Sequence, residues 1–357
     1  MKRNYYIFTP GRLLRKDNTI VFRPFSEFDS VDDENWQDDL LLSIDADQPD
    51  TESRSKKVLP VSDIDAFYIM TEASFNTKFF QFLSKMQIPV HIFNHYGYYS
   101  GSYYPREYLI SGYLTVKQVQ HYSAMKKRMT IARLFLEGAS FNLLKNLKYY
   151  NKRGRDLQDR IDTIESILPE IKNTGDIPSL MNVEGRIRKV YYSTFNEIIL
   201  SEMQLKRRKF NPPENPINAL VSFCNAMVYS AVLTEIYRTQ LIPTISYLHE
   251  PSERRFSLAL DIAEIFKPIL ADRIIFKAIN TNIISESNFE EKLGGHYLKE
   301  NGRKKIVELF DNRLKTTIKH RKIGREVSYK RLIRLECYKL IKHLTGDQDY
   351  EPFKIWW

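Results

Sequence analysis

The chain has 357 residues, which at about 150 residues per domain favours two domains. Apolar residues make up 43% of the chain and aromatic residues 13%, enough to fill a sizeable core, so a largely disordered chain is excluded. The net charge is +10, but residues 27–52 hold eleven acidic residues and no basic one, which leaves +21 on the remainder. Such an excess indicates a polyanionic partner, nucleic acid first and an anionic membrane second.

Cysteine content and hydropathy indicate a soluble, cytoplasmic protein. Cys224 and Cys337 are too few for a disulfide framework or a four-cysteine metal site, and both lie among apolar residues. The N-terminal residues lack the apolar segment of a signal peptide. Residues 215–234 are uncharged and long enough to span a bilayer, but Pro216 and polar residues such as Asn218 interrupt them. We therefore expect a buried core helix and no membrane partner.

The first hundred residues favour strands. Short β-prone runs lie at 5–8, 12–14, 19–22, 58–61, 66–70 and 90–93. Pro10-Gly11 and Asp17-Asn18 separate the first of these runs and are typical of turns. One helix, capped by Asn76, is predicted to interrupt the strands. The aromatic residues at 96–105 are interpreted as a turn-rich end of this region, and the acidic residues 27–52 as a solvated insertion.

Beyond Pro105 the spacing of apolar residues, at offsets of three and four, predicts helices. The predicted helices lie at 113–136, 139–150, 155–168, 178–203, 216–240, 256–270, 301–319 and 328–344. We therefore predict an α+β protein with a small N-terminal β-rich domain at 1–104 and a large all-α domain at 105–357.

Three stretches of the helical half combine acidic or histidine residues with apolar neighbours. Glu184 lies in the predicted helix at 178–203, and His249 ends an apolar run. Asp261 and Glu264 are three residues apart, so both carboxylates lie on one helical face among apolar residues. Such a buried pair is costly unless a cation or a proton neutralises it.

A divalent cation would neutralise these carboxylates. Mg²⁺ and Mn²⁺ prefer carboxylate oxygens, and Mn²⁺ also accepts an imidazole nitrogen. A metal held by Glu184, His249 and Glu264, with Asp261 in support, would suit phosphoryl transfer on a nucleic-acid backbone.

Ordinary structural roles remain open for the same residues. Glu264 can form an ion pair with Lys267, and Glu184 can pair with Arg186 or Arg188 along its helix. His249 can be a core histidine whose hydrogen bonds are satisfied within the fold.

Four stretches in order resemble the CRISPR-associated integrases of the spacer-acquisition complex, the Cas-one family. The matching residues are Glu184-Gly185, the Pro-Pro and Asn-Ala-Leu stretch at 212–220, Leu248-His249, and Asp261 and Glu264 ahead of Lys267-Pro268. Residues 5–19 are similar to the subtype found with type I-B systems. The resemblance runs nearly end to end, but the segment between His249 and Asp261 departs from the family pattern, since it carries Arg254-Arg255 and no glycine.

The resemblance implies a metal-dependent DNA endonuclease and integrase. It implies that Glu184, His249 and Glu264 bind Mg²⁺ or Mn²⁺, with Asp261 as a neighbouring acid. It also implies a homodimer formed by the β domain, and a small ferredoxin-fold partner, the Cas-two subunit. Together the two proteins would bind a double-stranded DNA prespacer, whose 3′-hydroxyl attacks a phosphodiester at the CRISPR repeat.

Basic residues are candidates for contact with DNA independently of the resemblance, although a basic run is more often only a solvated face. Residues 303–342 hold fourteen Lys and Arg residues against four acids. Arg331 and Arg334 lie almost on one face of the last predicted helix with Lys342, and Arg207 and Arg208 form a second candidate contact. Tyr191 and Tyr192 could stack on a frayed base, but core positions are the plainer interpretation for helical tyrosines.

Two other functions remain open on the sequence. One is a non-catalytic protein that binds structured nucleic acid and whose carboxylates only form ion pairs. The other is a repair nuclease that uses the same metal site on branched DNA.

Overall fold

The computed structural model describes residues 2–25, 57–205, 207–209, 212–251, 256–292 and 294–356. The predicted acidic insertion at 27–52 and the Arg254-Arg255 pair lie outside these residues. The chain divides into two compact units, Met1–His95 with Tyr99–Arg106, and Tyr96–Tyr98 with Glu107–Trp357. The first is built on β-sheets and the second is mostly helical, which confirms the predicted α+β fold class.

The first unit contains two sheets within its described residues. Its elements are β1 (Arg3–Ile7), β2 (Gly11–Lys16), β3 (Thr19–Pro24), β4 (Lys57–Pro60), β5 (Ile64–Ile69), β6 (Ala73–Phe75), α1 (Thr77–Met86), β7 (Val90–Phe93) and β8 (Tyr99–Tyr103). One sheet has the order β1-β5-β7-β8, with β8 antiparallel to its neighbour and the other pairs parallel. The other has the order β4-β3-β2-β6, in which β6 pairs parallel with β2.

The β2–β3 hairpin follows from its turn residues. Asp17 has a φ of 52°, in the left-handed region that Asp tolerates at turns. Gly11 begins β2 opposite β3, and a Cβ there would lie 2.4 Å from the carbonyl oxygen of Arg23. The close approach of two backbones therefore requires glycine at this position.

Helix α1 begins where the sequence predicts. The side chain of Asn76 accepts a hydrogen bond from the backbone N–H of Phe79 at 2.9 Å. Phe79 and Leu83 are fully buried, and Phe79 lies 6.0 Å from the ring of Phe67 on β5. The helix thus closes the core of the first unit.

The stretch 96–105, predicted to be turn-rich, contains a strand, because Tyr99–Tyr103 forms β8 beside β7. Its polar side chains have partners in the same unit. The Ser102 hydroxyl lies 2.6 Å from Nδ1 of His91, and the Tyr103 hydroxyl donates to the carbonyl of Phe80 at 2.9 Å. A run rich in tyrosine and serine can therefore complete a sheet as an edge strand.

The helical unit is dominated by two long helices and several shorter ones. Its helices are α2 (Gly112–Ser123), α3 (Met125–Asn151), α4 (Gln158–Ile167), α5 (Glu170–Asn173), α6 (Ile177–Ser193), α7 (Phe195–Ile198), α8 (Pro216–Tyr237), α9 (Ser257–Lys267), α10 (Arg273–Asn280), α11 (Glu300–Lys315) and α12 (Tyr329–Thr345). A π-helical turn, Pro268–Asp272, joins α9 to α10. Two short hairpins that the sequence analysis missed are β9 (Phe289–Lys292) with β10 (Gly295–Leu298), and β11 (Thr317–Lys319) with β12 (Glu326–Ser328).

The predicted break between 136 and 139 is wrong, since α3 runs through these residues. A Cβ on Gly138 would lie 2.6 Å from Cβ of Pro352, so glycine here makes room for the C-terminal segment. The actual break between α2 and α3 falls at Ala124, whose φ of −86° and ψ of 97° are extended.

Helix α8 is the apolar stretch that the sequence predicts to be a core helix. Among the described residues it is the one helix long and apolar enough to cross a membrane, and 83% of its apolar window is buried inside the fold. It therefore packs as a core helix of the helical unit, as predicted.

Asn142 fixes α3, α9 and the C-terminal segment to one another. Its buried side-chain amide donates to the carbonyls of Ile265 at 2.9 Å and Phe353 at 3.0 Å. Its carbonyl accepts from the N–H of Ile355 at 2.8 Å. A buried backbone group left without a partner is costly, so these bonds fix the position of α9.

We expect Asn142→Ala to lower the free energy of unfolding by about 2–4 kcal/mol, because three buried backbone groups lose their partner. Urea unfolding followed by circular dichroism measures the change. The exposed Asn312→Ala on α11 is the matched control and should change stability little. An equal loss in both variants would contradict the role of Asn142.

Candidate active site

Three packed helices, α3, α6 and α9, carry the candidate site. Helix α6 begins at Asp176, whose side chain accepts from the N–H of Ser179 at 2.7 Å. Glu184 lies two turns into α6, and Glu264 lies near the end of α9. Both glutamates are buried, 6% and 5% exposed. The structure thus brings together two of the predicted ligands from separate helices.

The guanidinium of Arg188 lies between these two carboxylates. Its Nε donates to Oε1 of Glu184 at 2.6 Å, one turn back along α6. Its Nη2 forms an ion pair with Oε2 of Glu264 without an aligned hydrogen bond. Lys267 adds a second cation, since its Nζ donates to Oε1 of Glu264 at 2.5 Å.

Two of the ion pairs left open by the sequence therefore form, Glu184 with Arg188 and Glu264 with Lys267. Arg186 does not take part. Its guanidinium binds both oxygens of Glu170 at 2.6 and 2.9 Å, on the exposed side of α6. Arg186 and Arg188 are two residues apart on one helix, yet they serve different acids.

Asp261 has different partners from Glu264, although both lie on α9. Its fully buried carboxylate accepts hydrogen bonds from the backbone N–H groups of Tyr247 at 2.7 Å, Leu248 at 3.0 Å and His249 at 2.9 Å. Its Oδ1 also lies 2.8 Å from Nδ1 of His249. Asp261 thus holds the turn before α9 and orients the imidazole, so that Nε2 is the nitrogen left for a ligand.

A small open pocket lies between α3, α6 and α9. Apolar residues of α3, such as Leu136 and Leu143, form one wall. The polar residues that line the pocket are Glu184, Arg188, Tyr191, Tyr192, Glu264, Lys267 and Asp272. The pocket therefore collects acids and bases from both sides of the α6–α9 interface.

Asp272 was missed by the sequence analysis. It ends the π-helical turn after α9, and its Oδ2 accepts from the buried hydroxyl of Tyr191 at 2.8 Å. Burial raises the pKa of Asp272 to about 6, while the hydrogen bond from Tyr191 and the charge of Arg188 act in the opposite direction. Pro268 suggests that the helix ends, but the π turn continues the chain and carries Asp272 to the pocket.

Burial and neighbouring charges also shift the pKa values of Lys267 and Glu184. Burial and, to a lesser degree, the charge of Arg188 together lower the pKa of Lys267 to about 8. Burial raises the pKa of Glu184, but Arg188 and His249 outweigh this effect, so the pKa lies below its ordinary value. Glu184 is therefore ionised at neutral pH.

The predicted metal ligands Glu184, His249 and Glu264 have other side chains as partners. Within the described part of the chain, no three His, Cys, Asp or Glu side chains lie close enough together to hold a metal ion. The two glutamates face Arg188, and the imidazole of His249 faces Asp261. The donor chemistry nevertheless fits a hard divalent cation, because Glu184 and Glu264 already share one cation and His249 is near enough to affect the pKa of Glu184.

The two arginines predicted to bind DNA on α12 differ in their surroundings. Arg331 is exposed. Arg334 is half-buried, and its Nε donates to Oε2 of the buried Glu235 at 2.6 Å. Arg334 therefore pairs with the buried Glu235, whereas Arg331 remains a candidate for contact with a DNA phosphate.

Arg207 and Arg208, the second pair predicted to bind DNA, also differ in their surroundings. Arg207 is exposed and lies 3.2 Å from Glu214. Arg208 is half-buried and donates to Oδ1 of Asn218 and to the hydroxyl of Ser222, each at 3.0 Å. Arg208 thus ties the segment before α8 to that helix.

Known proteins resemble this chain over its whole length. A family model described as CRISPR associated protein Cas1 matches residues 5–312. A CRISPR-associated endonuclease Cas1 from Fusobacterium nucleatum is 47% identical over 100% of this chain and 98% of the relative. The chain belongs to the Cas1 family. Another Cas1 endonuclease, from Thermodesulfovibrio yellowstonii, is 48% identical over 99% of this chain and 100% of the relative.

Solved structures agree with this assignment. A Cas1 protein from Thermotoga maritima has a TM-score of 0.80 at 35% identity and covers 98% of this chain and 99% of its own. A casposase bound to integration product has a TM-score of 0.81 at 18% identity over 99% and 94% of the two chains. The Cas1 fold also matches part of a Cas6-RT-Cas1–Cas2 complex, with a TM-score of 0.79 at 17% identity over 100% of this chain and 36% of that one. The family resemblance carried by the four motifs is thus confirmed.

Asp272 gives this Cas1 family member a pH-dependent stability. Its folded-state pKa of about 6 lies above the ordinary value of 3.8. The stabilisation of the folded state by protonated Asp272 is therefore fully present below about pH 4 and is lost as the pH rises through about 6. Between pH 5 and pH 7 the wild type should lose about 1 kcal/mol of unfolding free energy relative to Asp272→Asn, which cannot ionise.

Chemical unfolding at both pH values checks this expectation, with the exposed Asp159→Asn as the control for other titrating groups. A difference between wild type and Asp272→Asn that is the same at pH 5 and pH 7 would be inconsistent with a raised pKa.

Proposed function

We propose that this Cas1 family member is a metal-dependent DNA endonuclease and integrase of CRISPR adaptation, an antiviral defence. It would insert prespacer DNA into a CRISPR array by attack of a 3′-hydroxyl on a phosphodiester. The observation that carries the proposal is the pair of buried carboxylates, Glu184 and Glu264, which share a cation beside a polar pocket. The names of its relatives as endonucleases, and the casposase of similar fold, support the same chemistry.

In this proposal Glu184, Glu264 and His249 would hold Mg²⁺ or Mn²⁺, the ions that suit carboxylate oxygens and, for Mn²⁺, an imidazole nitrogen. A bound divalent ion polarises the phosphate and stabilises charge on the attacking and leaving oxygens. Asp261 supports the site indirectly, since its hydrogen bond to Nδ1 fixes the orientation of the imidazole.

The rest of the pocket would orient the DNA. Lys267 lines it, and the exposed Arg331 and Lys342 of α12 are available for phosphates elsewhere on the surface. Most of the affinity for duplex DNA would come from such dispersed basic residues and not from the carboxylates.

The partners belong to the same proposal. Double-stranded DNA, as prespacer and as repeat, would be the substrate, and a small ferredoxin-fold Cas2 subunit would assemble with the chain. The β-rich domain predicted at 1–104, which corresponds to the first compact unit, would make a homodimer. A cytoplasmic location would suit the two buried, free cysteines, Cys224 and Cys337.

A second candidate is a nucleic-acid-binding protein without catalysis. The ion pairs of Glu184 with Arg188 and of Glu264 with Lys267 favour it, because paired carboxylates can serve the fold alone. Loss of activity on substitution separates the two functions.

Glu264→Gln keeps the size of the side chain but removes the charge that attracts a cation. We expect strand transfer into a repeat-containing duplex, measured with Mn²⁺ or Mg²⁺, to fall by about a hundredfold or more. His249→Ala should also lose activity, while the affinity of both variants for duplex DNA is retained.

The matched control is Glu170→Gln, an exposed acid that pairs with Arg186 outside the pocket. It should keep both activity and affinity. If Glu264→Gln and His249→Ala keep full activity, the integrase proposal is wrong and the non-catalytic candidate gains support.

If dispersed basic residues bind phosphates, the affinity for DNA should fall steeply as the salt concentration rises. In a plot of log K against the logarithm of the salt concentration, each phosphate contact should add about −0.9 to the slope. Replacing the exposed Arg331 and Lys342 with Gln should reduce this slope by about one to two units without changing sequence preference. Fluorescence anisotropy at several salt concentrations gives the slope.

Replacing the exposed Lys152 and Lys172 with Gln removes the same charge elsewhere on the helical unit. If this control reduces the slope as much as the α12 variant does, a localised contact on α12 is refuted.

A further inference from the structure

Arg188 makes contacts that set it apart from the other basic residues of the pocket. It reaches two acids on two helices, with Nε on Glu184 and Nη2 on Glu264. Lys267 pairs with Glu264 on its own helix, and Arg186 faces the exposed Glu170. The guanidinium therefore lies at the point where the two proposed metal ligands meet.

Electrostatics explain why a cation is needed there. The side chains of Glu184 and Glu264 are only 8% and 6% exposed, so their charges are poorly screened and repel each other. A rigid planar guanidinium can bind both acids at once, which a single ammonium group does less well. Removing it would leave Glu264 paired with Lys267 and would take from Glu184 its ion pair on α6.

We propose that Arg188 is a resident counter-cation, which holds Glu184 and Glu264 together before metal binds and is displaced from them when a divalent ion takes its place. The inference rests on the proposed metal site and goes beyond it, because it assigns a role to a residue that binds no metal. Arg188 then opposes metal binding and sets the metal concentration at which the site fills.

The pocket offers the displaced guanidinium other partners. Asp272 and Tyr192 line the same pocket, and the charge of Asp272 helps to raise the pKa of Arg188. Burial lowers the pKa of Arg188, yet the charge of Glu184 and the hydrogen bond that it accepts from the guanidinium outweigh that effect, so the side chain is charged where it lies beside the glutamates. Asp272 is thus the acid of the pocket, besides the two glutamates, with which a displaced guanidinium would pair.

Mn²⁺ binding to the full chain tests this role directly. Protein freed of metal by a chelator is titrated with MnCl₂ in a calorimeter, and its melting temperature is measured with chelator and with Mn²⁺. Arg188→Gln should bind Mn²⁺ about tenfold or more tightly than the wild type, because a competing positive charge is gone. The same variant should melt at a lower temperature in chelator and gain more from Mn²⁺ than the wild type does.

Arg186→Gln is the matched control, since it removes the same charge from the same helix on the exposed side. It should leave Mn²⁺ affinity unchanged. Arg188→Lys keeps the charge but not the fork that spans both acids, so it should bind Mn²⁺ more tightly than the wild type and less tightly than Arg188→Gln. Should Arg188→Gln fail to fold, the Arg188→Lys affinity decides the question.

The outcomes separate this inference from the proposed function. If wild type binds Mn²⁺ at a site that Glu264→Gln removes, but neither Arg188 variant binds it more tightly, the counter-cation role is overturned and the metal site stands. If no Mn²⁺ site depends on Glu264, the proposed metal site itself is overturned, and the role of Arg188 with it.

Discussion

Two buried carboxylates on different helices, Glu184 on α6 and Glu264 on α9, place the strongest constraint on this helical unit. Each negative charge is costly in an apolar interface, and the cost falls only if a cation reaches both. Arg188 meets that need from α6, with Lys267 beside it on α9. The helices must therefore pack at a distance and a rotation that let one guanidinium span them, so charge pairing and helix packing specify the same geometry.

Rigid supports behind the pocket maintain that geometry. Asn142 joins α3 to the backbone of α9 and to the C-terminal segment, which fixes the helix that carries Glu264. On the other side, the π-helical turn keeps the chain continuous after Pro268, so Asp272 can bind Tyr191 of α6. The polar groups of the pocket are thus held by hydrogen bonds to backbone and to buried side chains, which is the arrangement expected where side chains must be positioned precisely.

Local signals in the sequence carried most of the fold. Caps such as Asn76, turn residues such as Asp17, and apolar periodicity act within a few residues, so the β-to-α order and the core helix α8 could be predicted. The continuous helix through Gly138 could not be predicted from local signals. The glycine makes room for Pro352, which lies more than two hundred residues away in the chain. The motifs predict a site at Glu184, His249 and Glu264, and the structure brings the two glutamates to one guanidinium. The partners of Asp261 and the place of Asp272 in the pocket could not be predicted, because they depend on how distant segments meet.

The division of work between Asp261 and Glu264 follows from their shared helix. Residues three apart lie on one face, yet two charges there cannot both be left unpaired in a buried interface. Asp261 accepts hydrogen bonds from three backbone N–H groups and lies within hydrogen-bond distance of Nδ1 of His249, so it serves the fold and orients the imidazole. Glu264 is met by side-chain cations, which can move away as backbone groups cannot. Under the proposed function this difference decides which acid can exchange its partner for a metal ion: Glu264 can, and Asp261 cannot. A metal ion held there would let a pocket rich in carboxylates accept a DNA phosphate.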